Sequence, residues 1–204
     1  MMADEKIRIV RVAVVQMESK NGLVEANLKH AMPMLEQAAR EGAKLILLPE
    51  FMPAGYIFTP AIWDAAEPSN GLTVQWLKEN SKRFSVWLGT SFLEADREDF
   101  FNTFVLTAPN GAEAGRVKKQ TPAGFEAYFS KGGFGPHVIA TELGRIGVGI
   151  CYENQLSYIP RIMYEQSADL MLMPHSYPGV GQIFFLAGRT GFPICTSALY
   201  PVHS

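Results

Sequence analysis

Apolar residues fall in two alternating rhythms along the first half of the chain. Ile7 to Met17 is dominated by Val and Ile and predicts a buried strand. From Asn21 to Ala43 the positions Leu23, Leu28, Ala31, Leu35, Ala38 and Ala39 recur near helical spacing, and the pattern stops at Gly42. Pro33 inside that stretch removes a backbone donor, which predicts a kinked helix. Lys44–Leu48 is a second short apolar strand. Residues 52–71 are rich in Pro and Gly and carry Tyr56, Phe58 and Trp63, the pattern of a loop over a site. Leu72–Phe84 returns to helical spacing, and Ser85–Phe92 to strand.

Beyond residue 100 the rhythm shifts toward hairpins. Asn102–Ala108 and Ala112–Lys118 flank Pro109-Asn110-Gly111, and Asn-Gly supplies the positive φ that tight hairpin turns need. Val138–Glu142 and Arg145–Ile150 flank a second turn at Leu143-Gly144. Leu156–Ser167 predicts a helix with Pro160 near its start, where a missing donor does least harm. Asp169–Met173 reads as another buried strand, and Leu186–Leu199 as a helix end and one strand. Helix-separated strands followed by hairpins predict an α/β (α+β) architecture, a mixed sheet covered by helices. With no repeat, low-complexity tract or linker, residues 1–204 read as one domain.

Composition narrows the chemistry. The 204 residues are 48% hydrophobic and 19% charged with a net charge of −2, which supplies no electrostatic reason to bind nucleic acid or an anionic membrane. No apolar run reaches bilayer-spanning length, and the opening Met-Met-Ala-Asp-Glu-Lys is charged where a signal peptide is apolar, so a cytoplasmic protein is expected. His30, His137, His175 and His203 are scattered, so a Cys–His pair would need a partner that only the fold can supply, and no His/Cys/Asp cluster has the spacing of metal ligands. The glycines at 144, 147 and 149 serve turns and close strand packing rather than phosphate binding. Of the two cysteines, Cys195 in Pro-Ile-Cys-Thr reads as a buried structural residue.

Cys151 is different. In Gly-Val-Gly-Ile-Cys-Tyr-Glu-Asn-Gln (147–155) an apolar strand ends abruptly in a thiol followed by helix-starting residues. Such a junction presents a nucleophile beside free backbone N–H groups, and a helix start is expected to lower the thiol's pKa. Glu50 ends the apolar run Lys-Leu-Ile-Leu-Leu-Pro-Glu-Phe (44–51), where partial desolvation is expected to raise its pKa. Gly-Arg-Val-Lys-Lys-Gln-Thr-Pro (115–122) leads into Gly-Phe-Glu-Ala-Tyr-Phe-Ser-Lys-Gly-Gly (124–133). In an extended segment only one of Lys118 and Lys119 can face a site.

With Asn27, Pro49-Glu50, Phe101-Asn102, the Lys119 segment, Glu126 and the Cys151 strand in that order, the chain resembles the nitrilase superfamily of carbon–nitrogen hydrolases from about Val12 to Pro174. The resemblance implies a four-layer α-β-β-α sandwich and a cofactor-free, metal-free hydrolase of small-molecule amides, carbamoyl compounds or nitriles. It implies a Glu50–Lys119–Cys151 triad with Glu126 in support. Cys151 attacks to form a thioester, Glu50 carries protons, and Lys119 with the Tyr152 backbone N–H holds the oxyanion. Tyr56, Phe58, Tyr128, Phe129 and His175 are expected to line the pocket. Glu153 reads as a helix-start residue that can also contact substrate. The resemblance further implies a homo-oligomer, with the apolar face Ile159, Ile162 and Met163 as one contact. From about residue 176 the sequence departs from the family pattern, as in a C-terminally shortened chain. That departure motivates a second expectation, an inactive relative acting as a binding or assembly subunit.

Overall fold

Each strand at the centre of the molecule sends alternate side chains into two different cores. The structure is a computed structural model that describes residues 10–57, 59–176 and the backbone of 194–197. The first sheet contains β1 (Val12–Val14), β2 (Leu45–Leu47), β3 (Glu67–Pro68), β4 (Trp87–Asp96), β5 (Asp99–Thr107) and β6 (Glu113–Lys118). Its order is β1-β2-β4-β5-β6, with β3 also paired to β4. The second sheet runs in the order β10-β9-β8-β7, from β7 (Val138–Thr141), β8 (Gly144–Val148), β9 (Leu170–Pro174) and β10 (Ile194–Ser197). Among the described residues three α-helices cover the sheets: α1 (Val24–Arg40), α2 (Leu72–Phe84) and α3 (Tyr158–Glu165).

The period-two alternation of strands explains the layering. On β2, Leu45 and Leu47 face the second sheet, while Ile46 and the following Leu48 face the helices. On β5, Phe104 and Leu106 point to the second sheet and Val105 to the helices. Helix α1 presents Leu28, Ala31, Leu35 and Ala38 to that outer core, and α2 adds Val74 and Leu77. On the far side, Met171 and Met173 of β9 meet Ile159 and Met163 of α3, while Leu172 joins Ile146 and Val148 between the sheets. The result is the α-β-β-α sandwich. Each fully buried Leu, Ile or Phe in these layers contributes about 1.5–3 kcal/mol relative to exposure.

Helix α2 occupies the residues its spacing predicts, and the Asn110-Gly111 turn joins antiparallel β5 and β6, with Gly111 at φ 85°. Helix α1 runs through Pro33. Three expectations change. The 52–71 loop contains a 3₁₀ turn over Pro60–Ala65 and the short β3. The helix expected over 156–167 is trimmed to α3 and preceded by a separate 3₁₀ turn over Cys151–Gln155. Ile159 and Met163 are fully buried against β9 within the one chain, so they offer no surface for a second copy. Ile7–Ile9, Phe58, the 186–193 helix end, Leu199 and the Cys195 side chain lie outside the described residues. Among the described residues no helix is long and apolar enough to cross a membrane.

Candidate active site

Three strands of the sandwich release their chains at the same end, and the site forms there. Glu50 follows β2 in a turn pinned from two sides. The Thr90 hydroxyl donates to the Pro49 carbonyl at 2.7 Å, and the Phe51 N–H donates to Ser91 Oγ at 3.1 Å. Phe51 itself adopts φ 50°, a conformation that non-glycine residues rarely take unless their surroundings impose it. Asn27 steadies the same loop by donating to the carbonyls of Lys20 and Pro53 at 2.7 and 2.8 Å. Lys119 leaves β6 with its own N–H on the Asn102 carbonyl and its carbonyl on the Gly133 N–H, both at 2.8 Å. Cys151 follows β8 at φ 52°, and Asn154 Nδ2 holds its carbonyl at 3.0 Å and that of Gly149 at 2.7 Å.

Strand alternation separates the two lysines. Lys118 faces outward, where its ammonium lies 4.0 Å above the Phe101 ring and 3.4 Å from Asp96. Lys119 points inward and is fully buried between two fully buried carboxylates. Its Nζ donates to Glu50 Oε1 at 2.9 Å and makes a short bond to Glu126 Oε2. Asn102 Nδ2 completes the bridge, donating to Glu50 Oε1 at 2.9 Å and Glu126 Oε1 at 2.8 Å. Ser176 Oγ donates to the other Glu50 oxygen at 2.7 Å. The Glu50 charge also acts on the Cys151 thiol.

The electrostatics reverse two sequence-based expectations. Burial pushes the Glu50 pKa up, but Lys119, Ser176 and His175 together outweigh it and hold the carboxyl below its ordinary value. The Cys151 thiol is pushed well above its ordinary value, by burial first and then by the neighbouring Glu50 charge. A five-residue 3₁₀ turn supplies too little dipole to lower it. Burial alone would strip the Lys119 proton, yet Glu50 and Glu126 raise its pKa well above normal. Glu126, desolvated and beside Glu50, is shifted upward. The resting site therefore holds an ionised Glu50, an ammonium and a neutral thiol.

The pocket candidates divide. Tyr56 packs edge-on to Phe51 with centroids 5.5 Å apart and against Phe129 at 6.2 Å, forming an aromatic wall. Its phenol is shifted strongly upward, by burial and then by the Glu50 and Glu126 charges. His175 is buried, and its pKa is pushed down to about 4 by desolvation, leaving a neutral imidazole near Glu50 and Lys119. Tyr152, next to Cys151 along the chain, is exposed.

Tyr128 does not line the pocket. It sits in the 3₁₀ turn Gly124–Tyr128, where three residues per turn place Phe125 and Tyr128 together on the outer face, with ring centroids 5.9 Å apart. The same period turns Glu126 and Phe129 inward. Glu153 is fully buried and turned to the backbone: its two oxygens accept the Gln120 and Ile150 N–H groups at 2.7 and 2.9 Å. Ser176 had no local sequence signal, and Asn102 had only its place in the family's order of motifs. Among the described residues no cluster of His, Cys, Asp and Glu could hold a metal ion.

A carbon–nitrogen hydrolase family model matches residues 11–189, and the chain belongs to that family. It is 30% identical over 175 residues to citrullinase of Francisella tularensis, a match covering 81% of this chain and 60% of that protein. It is 29% identical over 167 residues to the chloroplastic omega-amidase of Arabidopsis thaliana, covering 74% of this chain and 45% of the relative. The chain thus spans about half to three fifths of the length of these curated relatives. Among solved structures, Saccharomyces cerevisiae Nit3 of the nitrilase superfamily matches its fold with a TM-score of 0.84 at 23% identity, covering 93% of this chain and 75% of that one.

Proposed function

We propose that this protein hydrolyses a non-peptide carbon–nitrogen bond of a small molecule, an amide or carbamoyl group before a nitrile, through a Cys151 thioester. One observation carries the reading: a buried carboxylate and ammonium from two distant segments are hydrogen-bonded to each other, and the charges of both act on a thiol from a third. The names of the relatives, a citrullinase and an omega-amidase, favour amide and carbamoyl substrates.

The neutral thiol and ionised Glu50 set the order of events. As Sγ bonds to the carbonyl carbon, the thiol proton passes to Glu50, so no free thiolate accumulates. The oxygen's developing charge is met by the Lys119 ammonium and the Tyr152 backbone N–H, each donor of this kind contributing about 2.7–4 kcal/mol. Glu50 then gives its proton to the departing nitrogen as the C–N bond breaks and ammonia or an amine leaves. Water attacks the thioester, Glu50 accepts its proton, and release of the acid returns the thiol. Glu126 and Asn102 keep Lys119 and Glu50 in register throughout.

An inactive binding subunit is the weaker reading. A buried ammonium and carboxylates cost several kcal/mol each to desolvate, and apolar residues would pack the site without that penalty. A chemistry that depends on a free thiol belongs in a reducing compartment. We further propose self-association, which light scattering at micromolar concentration tests; a monomer alone rejects it.

The chemical test is acylation. Incubation with small amides, carbamoyl compounds and nitriles, followed by intact-mass measurement, is expected to reveal a thioester on the wild type that Cys151→Ser cannot form. A broad panel yielding neither product nor adduct would refute the proposal.

A further inference from the structure

Glu153 is a fully buried carboxylate that no step of the proposed chemistry uses. Two other buried glutamates have evident structural partners. Glu67 accepts the Thr73 N–H and hydroxyl at the start of α2, and Glu94 pairs with Arg116 and Lys118. The partners of Glu153 are of another kind. Its Oε1 accepts the N–H of Gln120, the residue directly after Lys119, at 2.7 Å. Its Oε2 accepts the N–H of Ile150, the residue directly before Cys151, at 2.9 Å.

Those two amides belong to different sheets. Gln120 leaves β6 of the first sheet, and Ile150 leaves β8 of the second. One rigid carboxylate with an amide on each oxygen ties the two chain segments together within hydrogen-bond tolerance. Capping the 3₁₀ turn explains the Ile150 bond but leaves the Gln120 bond without a purpose. The location matters because Cys151 is held at φ 52°, so its thiol cannot be re-aimed by small changes elsewhere in the turn. His137 lies behind the carboxylate, its Nε2 4.0 Å from Oε1 and its Nδ1 on the Val148 carbonyl at 2.9 Å, which backs the clasp against β8.

We infer that Glu153 is a positioning residue that sets the separation between the Lys119 ammonium and the Cys151 sulfur by gripping the backbone next to each. The inference rests on the catalytic roles proposed above for those two groups. Glu153→Gln keeps the volume but turns an NH₂ toward one of the two amides. Glu153→Asp keeps the charge but withdraws it by one methylene, so it cannot reach both.

Both variants are expected to lose on the order of 100-fold in kcat on the best substrate found, the loss typical of about 1 Å of misplacement, with KM within threefold of wild type. Rates are counted per chain that a thiol probe titrates at Cys151, which separates misplaced sites from unfolded ones. A kcat per titrated site within threefold of wild type in Glu153→Asp overturns the inference, because charge would then suffice without reach. If Glu153→Gln fails to fold, Glu153→Asp decides alone.

A wild type with no turnover refutes the proposed activity instead. The clasp is still tested in that case by alkylating Cys151 with a haloacetamide, a reaction that needs no substrate. Both variants are expected to react at a rate changed about tenfold, because the opposed Glu50 and Lys119 charges acting on the sulfur move relative to it. An unchanged alkylation rate overturns the inference.

Discussion

Replacing Lys119 by Met removes a buried ammonium while nearly preserving the length and volume of the side chain. At the 2.9 Å separation from Glu50, an ion pair in an effective dielectric of about 20 is worth roughly 6 kcal/mol. Part of that offsets the cost of burying the ions, so the net loss expected on removing one partner is about 3–5 kcal/mol. What remains is two desolvated carboxylates bridged by Asn102 alone. Like charges in that position are relieved by protonation, so both folded-state pKa values in the variant rise above their unfolded value.

The sign then follows. A carboxyl whose folded pKa is raised contributes stability that is full below the unfolded pKa and lost as pH rises through the folded one. The variant's deficit relative to wild type is therefore smaller near pH 5 and grows toward pH 8, at up to about 1.4 kcal/mol per pH unit for each proton involved. Urea unfolding of both proteins at the two pH values measures it, with equal m-values as the check on a common unfolded state. The deficit is expected to be larger at pH 8 by about 2–4 kcal/mol. A deficit independent of pH, or below about 1 kcal/mol at pH 8, would refute the reasoning. In activity, the loss of the oxyanion donor proposed above is expected to lower kcat by about 10²–10³, with no recovery on acidification.

Ser176→Ala removes a hydroxyl that holds Glu50 ionised. The acid limb of kcat/KM should move to higher pH by about one unit, and an unmoved limb would show that the hydroxyl does not bias the carboxyl. His175 takes up a proton in the unfolded chain near 6.5 but in the folded one only near 4, so wild-type stability should fall as pH drops through that interval. The interval corresponds to about 3 kcal/mol, and thermal unfolding of His175→Gln should lose most of that slope; parallel curves would rule the imidazole out as its source. Gly149→Ala would place a Cβ 2.2 Å from Asn154 Oδ1 and dislodge the amide that holds the Cys151 carbonyl. A destabilisation of about 1–3 kcal/mol with slower thiol labelling is expected, whereas an unchanged urea midpoint would mean that Asn154 yields freely.

Elements governed by local rules were legible in the sequence. The helical spacing of Leu72–Phe84 and the Asn110-Gly111 turn needed no distant partner to be read. The β4–β5 hairpin was not foreseen, because Arg97 closes it at φ 58° and no glycine or asparagine marks the bend. Strand β4 also runs on to Asp96, past the expected end at Phe92, because β5 supplies a partner for every added residue. Tyr128 was misplaced for a geometric reason, since a period of three rather than of two or 3.6 decides which residues of that turn face inward. The charge states of the site were the least legible. Desolvation alone raises Glu50, and the groups that reverse it arrive from 69 and 126 positions further along the chain. The direction of such a shift depends on contacts that no local pattern encodes.

The placement of the cluster at a seam has a consequence for how the site tolerates change. Glu50, Lys119 and Asn102 come from the first sheet, and Cys151 and Ser176 from the second. Their separation is set by the apolar layer between the sheets, where Leu45, Leu47, Phe104, Leu106 and Val117 meet Ile146, Val148, Ile150 and Leu172. That layer is close-packed, so a lost methylene is felt as a shift of one sheet against the other as well as a cavity. Hydrogen bonds lengthen intolerably over a few tenths of an ångström, whereas dispersion contacts weaken gradually. Core substitutions in this layer should therefore depress activity before they unfold the protein, and those in the outer layer beneath α1 should do the reverse. The polar ties across the seam, Ser176 to Glu50 and Glu153 to Gln120, lie at the end where the chemistry is proposed. There a soft apolar interface alone would leave the reacting groups free to drift.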